Sequence, residues 1–267
     1  MKKGLAIIWF VLLLVSCEEV TDWDQQGTFT PRLVVDGMVT NQQGYSYVKL
    51  SLPVTASGEI PRTVSNAEVF ISTGDSLVPF TEDMTEPGTY RPDPSMRAVI
   101  GRIYHLEISF ENFSFTASAG MIPVAPFSPF LYNADDDKAG YYRINPTDTN
   151  NPTMLRYTVE WVDDQSGQEV KSIFYHYTLS TIDVNQFFKP GQQSLSFPGN
   201  ARIIREQYSL SPDHEQYIRS LLSETEWKGG WFDVLPGNLH TNLSRGGTGY
   251  FAASSMLVDT VYFEEIK

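Results

Sequence analysis

Apolar and polar residues alternate with period two through most of this chain, the pattern of strands with one face in a core and the other in water. Residues 45–52 (YSYVKLSL) show it most cleanly, and residues 32–39 (RLVVDGMV) form a compact strand candidate just before them. The polar stretch Asn41-Gln42-Gln43-Gly44 lies between the two, so a hairpin is expected. Further short strands are predicted at 67–71, 88–90, 103–108 and 113–117, divided by Gly, Pro and Asp. Spacing of this kind predicts a β-sandwich.

Pro123, Pro126 and Pro129 then punctuate the chain within IPVAPFSPF, which favours a stiff, extended connection. A domain boundary is expected there, at 123–130, between an N-terminal β-sandwich at 30–122 and a C-terminal β-rich domain at 131–267. In the second part, residues 154–162 (MLRYTVEWV) and 170–182 (VKSIFYHYTLSTI) read as strands with aromatic alternation. One helix is legible. Ser211 suits an N-cap, Pro212 the first helical position, and Asp213 the positive end of the helix dipole. Tyr217, Ile218, Leu221 and Leu222 follow as a stripe at helical spacing, and Lys228-Gly229-Gly230 should end the helix, giving about 212–226. The expected fold is mainly β: two β-sandwich domains, the second carrying one amphipathic α-helix. The runs AEVFI, GTY and YHLEI resemble the immunoglobulin-like and prealbumin-like modules of bacterial surface proteins.

The N-terminus carries a different kind of signal. Lys2 and Lys3 precede an apolar run from Leu5 to Val15, shorter than the roughly 20 residues a membrane-spanning helix needs. This describes a secretory signal peptide at 1–16. Leu14-Val15-Ser16-Cys17 resembles the bacterial lipobox, which implies lipid attachment at Cys17 and cleavage just before it. Cys17 is the only cysteine, so no intramolecular disulfide can use it. Two or more acyl chains suffice for stable anchoring, and a lipidated Cys17 would hold the protein at a membrane. Glu18, Glu19, Asp22 and Asp24 follow within an acidic linker at 17–29. They read equally as a solvated linker or as a surface-export signal, since acidic residues after the cysteine resemble that signal in Bacteroidota lipoproteins. The localisation expected is the outer membrane, lipid-anchored and facing outside the cell.

Charge narrows the partners. The chain of 267 residues carries 19 Lys and Arg against 32 Asp and Glu, a formal charge of −13. Nucleic acid and anionic lipid are disfavoured, because both are held through Lys and Arg. The hydrophobic fraction of 41% supplies enough apolar surface for a core, so the chain is not disordered.

The closing segment brings a specific resemblance. WKGGWFDVLPGN and GYFAASS after the helix, with the lipobox cysteine and RLVVDGMVTNQQGYSYVKLSL at the front, are similar to a Bacteroidota lipoprotein family. It is the domain-of-unknown-function family forty-two forty-nine. The resemblance implies an outer-membrane lipoprotein encoded beside a TonB-dependent receptor, and it implies no catalytic residue. Read from the residues alone, Pro236-Gly237 fits a type II turn, and Gly246, Gly247 and Gly249 make a flexible approach to a strand.

Enzyme chemistry is not expected. His105, His176, His214 and His240 are far apart in sequence. HEQYI at His214 opens like a zinc-protease motif but has Ile218 where the second ligand belongs. Asp135-Asp136-Asp137 lacks the glycine and glutamate of an EF-hand loop, leaving a solvated acidic turn or a calcium site built with distant loops. Ser254 and Ser255 lack a nucleophile-elbow context. No cofactor and no metal site are expected. Trp227, Trp231 and Phe232 flank Gly229-Gly230 and are either core plugs or an exposed contact for a partner protein, glycan or peptide. The favoured function is a non-catalytic accessory or substrate-binding partner of a TonB-dependent transporter. A structural or adhesive surface protein is the alternative, and a surface hydrolase the more distant one.

Overall fold

The computed structural model describes residues 33–54, 58–74, 76–163, 165–180, 195–225, 239–244 and 246–263. Cys17 with its signal peptide and acidic linker, Pro236-Gly237, and Trp227, Trp231 and Phe232 all lie outside the described residues.

Strands dominate. The first part of the chain forms β1 (Val34–Thr40), β2 (Tyr47–Ser51), β3 (Glu68–Thr73), β4 (Ser76–Glu82), β5 (Thr89–Pro92), β6 (Ile103–Phe110) and β7 (Phe113–Gly120). Then come β8 (Tyr132–Ala134), β9 (Tyr141–Ile144), β10 (Thr153–Val162), β11 (Glu169–Thr178), β12 (Ser196–Pro198) and β13 (Arg202–Ser209). Helix α1 (Pro212–Thr225), β14 (Thr248–Ser254) and β15 (Met256–Tyr262) complete the described elements. The hairpin expected at the front is present: β1 and β2 pair antiparallel, with Gly37 opposite Val48.

The N-terminal strands form one eight-stranded sheet in the order β14-β1-β2-β5-β4-β3-β6-β7. Its outermost member comes from the far end of the chain, since β14 pairs in parallel with β1. The sheet curls until β14 lies beside β7, a nearly closed barrel. Its inward residues, among them Val35, Val48, Leu50, Ile71, Leu106, Ile108 and Phe251, are at most 1% exposed and fill the interior. Closure protects edge strands that would otherwise offer unpaired backbone groups.

The seam between β7 and β14 is closed by residues 242–244. Asn242 Nδ2 donates to the carbonyls of Ser118 (3.0 Å) and Phe251 (2.8 Å), and its Oδ1 accepts from the Phe251 N–H (3.1 Å). Ser244 N–H donates to the Thr116 carbonyl (2.8 Å), and Thr116 N–H donates to Ser244 Oγ (2.9 Å). Leu243, between them, is buried in the barrel core. A short segment thus supplies both donors and acceptors where a ladder is missing.

Beyond the barrel, β11-β10-β13-β15 form a four-stranded sheet and β12-β9-β8 a three-stranded one. They share one core of Ile144, Leu155, Tyr157, Val159, Phe174, Phe197 and Ile203, with Phe127, Phe130 and Tyr132 at its margin. The proline run forms no strand but lies along β13: Gln207 Nε2 donates to the Ala125 carbonyl (2.7 Å), and Arg205 Nη1 to that of Ser128 (3.2 Å).

A node of serines joins the two parts where β14 passes into β15. Ser254 Oγ donates to the Ser209 carbonyl (2.8 Å), and Ser255 N–H to Ser209 Oγ (3.0 Å). Ser209 Oγ and Ser255 Oγ both donate to the Ile122 carbonyl, at 2.9 and 2.8 Å. All three serines are at most 1% exposed, so each hydroxyl must find a partner inside the protein. The described residues accordingly make one compact unit. Helix α1 starts as its sequence indicates, with Glu215 N–H on the Ser211 carbonyl (2.8 Å), and buries Ile218 and Leu222 against Leu210.

Candidate functional site

Strand register sorts the four-stranded sheet into two faces. Odd-numbered residues of β10 and β13, such as Leu155, Tyr157, Val159 and Ile203, enter the core shared with the smaller sheet. Even-numbered residues point the other way and line up across the strands in rows.

The first row, Tyr177, Met154, Tyr208 and Met256, is covered. Met154, Tyr208 and Met256 pack on Met38, Tyr250 and Ala252 of the barrel and on Tyr217 of α1. His214 and Tyr217 stack on Tyr250, with ring centroids 5.1 and 4.9 Å away. The second row, Tyr175, Arg156, Glu206 and Val258, emerges from that cover. Arg156 Nη1 and Glu206 Oε2 are 2.8 Å apart at its centre, between the 46%-exposed Tyr175 and the 39%-exposed Val258. A third row carries Ile173, Thr158, Ile204 and Thr260, and a fourth Lys171, Glu160, Arg202 and Tyr262. Glu160 bonds both basic residues of its row, at 3.3 and 3.0 Å.

The result is a sheet face whose exposed apolar groups, Tyr175, Tyr262, Ile173, Val162 and Val258, lie among the Arg156–Glu206 and Lys171–Glu160–Arg202 pairs and the exposed Glu169. Paired charge with exposed aromatic and aliphatic side chains is the chemistry of a protein-binding surface.

The barrel flanks this face. Tyr47 Oη donates to Asp36 Oδ1 (3.1 Å) on the outer side of β1 and β2. Asp36 touches solvent, yet loss of hydration from the surrounding protein raises its pKa, against the Tyr47 hydrogen bond and Lys49. Burial also raises the pKa of Tyr47, helped by the Asp36 charge, and that of Tyr208, helped by Glu206. Burial opposes the charge on Arg156, but the Glu206 charge and hydrogen bond together with the neighbouring Tyr175 and Tyr208 oxygens outweigh it, and the pKa stays above the ordinary value. These phenols therefore stay neutral and act as rings and hydrogen-bond donors.

The other residues with candidate chemistry are dispersed. His105 Nδ1 lies 2.8 Å from Ser118 Oγ on the open outer surface of the barrel. His176 Nε2 lies 3.0 Å from Asp148 on β11. His214 is buried in the first turn of α1, its Nδ1 without a hydrogen bond, and desolvation lowers its pKa to about 4. Asp135 and Asp137 both bond Arg143 Nη2 at 2.8 Å, so an arginine sits where a cation would. Ser254 and Ser255 belong to the buried serine node. Among the described residues no three His, Cys, Asp or Glu side chains converge as a metal site would require.

Sequence reasoning missed the open face because it searched for catalytic residues and loop aromatics. A signal was present. In residues 173–177 both parities are apolar or aromatic, Ile173 and Tyr175 on one side and Phe174 on the other. A strand with only one buried face alternates with polar residues.

The described residues define a mainly β protein, a nearly closed barrel joined through buried serines to a pair of stacked sheets. The chain belongs to the family described as domain of unknown function (DUF4249), whose model matches residues 18–258. No curated protein matches it.

Proposed function

We propose that this protein is a lipid-anchored lipoprotein of the Bacteroidota outer membrane, exposed at the cell surface, that works without catalysis as a partner of a TonB-dependent receptor. The observation that carries the binding role is the open face of the four-stranded sheet, with Tyr175, Ile173, Val258 and Tyr262 exposed around the Arg156–Glu206 pair. Interface cores favour tyrosine and tolerate charge when it is paired. A lipid at Cys17 would raise the effective concentration of this face near a membrane partner, so a modest interface would suffice. Trp227, Trp231 and Phe232 are kept as a second candidate contact, and the finer reading of two sandwich modules, immunoglobulin-like or prealbumin-like, belongs to the same proposal.

Affinity purification of the native lipoprotein from outer membrane in mild detergent tests the reading. A TonB-dependent receptor should accompany it, and Cys17→Ala should remove both lipid and receptor. Purification of the anchored protein with no receptor, or receptor transport unchanged in its absence, would overturn the reading.

A further inference from the structure

A second surface has different chemistry. On the outer side of the barrel, β3, β4, β6 and β7 form the floor of a half-open cavity of about 300 Å³. Register places Leu77, Ser72, His105 and Ser118 in one row across these strands, and Phe70, Glu107 and Thr116 in the next. All seven line the cavity.

We propose that this cavity is a binding site for a neutral saccharide, one or two sugar rings in size. The lining selects by elimination. It contains no Lys or Arg, so a phosphate, sulfate or carboxylate ligand would meet the Glu107 charge with nothing to offset it. Glu107 is its only carboxylate, and a divalent cation needs more oxygen ligands than that. An aliphatic ligand would leave the Glu107 carboxylate, the Ser72 hydroxyl and His105 Nε2 without their water. A pyranose satisfies both sets of groups. Its C–H face can rest on Phe70 and on Leu77, which is 63% exposed without a ligand, while its hydroxyls bond the polar row.

Two features prepare the polar groups. His105 Nδ1 is held by Ser118 Oγ at 2.8 Å, which leaves Nε2 for a ligand. Glu107 makes no hydrogen bond or ion pair with any described residue, and a free carboxylate is a strong acceptor for paired sugar hydroxyls. The β7 wall is braced along its edge, since Asn242 holds the Ser118 carbonyl and Ser244 holds the backbone and hydroxyl of Thr116. Volume sets the ligand size, since 300 Å³ lies at the small end of ligand sites.

As the cargo of a transporter this sugar would rest on the receptor reading, but as a binding site it stands alone. The test therefore uses the full chain, purified in a sugar-free detergent without any receptor. Saturation-transfer NMR and calorimetry would be run with maltose, cellobiose, mannobiose and N,N′-diacetylchitobiose. At least one should bind, and Glu107→Gln should weaken it about tenfold, the loss of one charge-assisted hydrogen bond. Leu77→Ala should weaken it as well. Both positions are exposed, so the thermal midpoint serves as the folding control. Failure of all four sugars to bind at tens of millimolar, or binding unchanged in both variants, would overturn the proposal and leave the receptor reading untouched.

Discussion

Asn242 and Phe251 are bonded in both directions, Phe251 N–H to Asn242 Oδ1 at 3.1 Å and Asn242 Nδ2 to the Phe251 carbonyl at 2.8 Å. The side-chain amide presents one acceptor and two donors, and so mimics a residue of a neighbouring strand. Its second donor reaches the Ser118 carbonyl on β7, so one side chain spans the seam of the barrel. Asn242→Ala removes all three bonds and should destabilise the protein by about 2–4 kcal/mol. Urea denaturation with an unchanged m-value would show it. A loss under about 0.5 kcal/mol would mean that Ser244 and Leu243 hold the seam alone.

Gly249 is the strictest backbone position in the barrel. Its φ is +88°, and a Cβ there would lie 2.0 Å from the Val35 carbonyl oxygen. Parallel pairing of β1 and β14 therefore requires glycine, for conformation and for space together. Gly249→Ala should cost about 3–5 kcal/mol and expose the β1 edge to aggregation. Thermal denaturation and size-exclusion chromatography would measure the two effects.

His214 should make the protein acid-sensitive. Its folded pKa of about 4 lies below the ordinary 6.5 because burial disfavours the imidazolium. A depressed folded pKa means that the stabilisation is present above the unfolded value and is lost as pH falls towards the folded one. Between pH 7 and pH 5 the loss should be about 2 kcal/mol. His214→Phe preserves a ring against Tyr250 and removes the titration, so it should flatten the stability profile in that window. A variant profile as steep as the native one would assign the acid sensitivity to other groups.

Tyr175 tests the docking face without disturbing the core. It is 46% exposed at the edge of the four-stranded sheet. Tyr175→Glu should leave the thermal midpoint unchanged and reduce receptor recovery about tenfold, as for an interface anchor. Full recovery would move the contact elsewhere, with the Trp227, Trp231 and Phe232 segment the next candidate.

Local features of the fold were readable wherever their cause lies within a few residues. Alternation at 45–52 and the loop ending in Gly44 define the first hairpin. Ser211 and Pro212 start α1 where they should. β4 escaped notice because Pro79 interrupts it. The Pro79 carbonyl accepts from Asp93 N–H (3.0 Å) at the last rung of the β4–β5 ladder, so the missing N–H costs one bond at a ladder end. A flexible approach to a strand understates Gly249, since a local window cannot show that the Val35 carbonyl oxygen lies 2.0 Å from an added Cβ.

The sequence by itself determined a mainly β chain, one capped helix, an acidic surface and a lipobox-like cysteine, because alternation, capping chemistry, charge and short motifs are carried by adjacent residues. Tertiary structure decided that β14 completes the barrel beside β1 and that residues 242–244 seal it. It also decided that the part of the four-stranded sheet around Tyr175, Ile173 and Val258 stays exposed. The reason is physical: strand partners are chosen by burial and backbone pairing between segments far apart in the chain, where Thr248 N–H meets the Leu33 carbonyl at 2.9 Å. Which face remains uncovered depends on what every other segment has already buried.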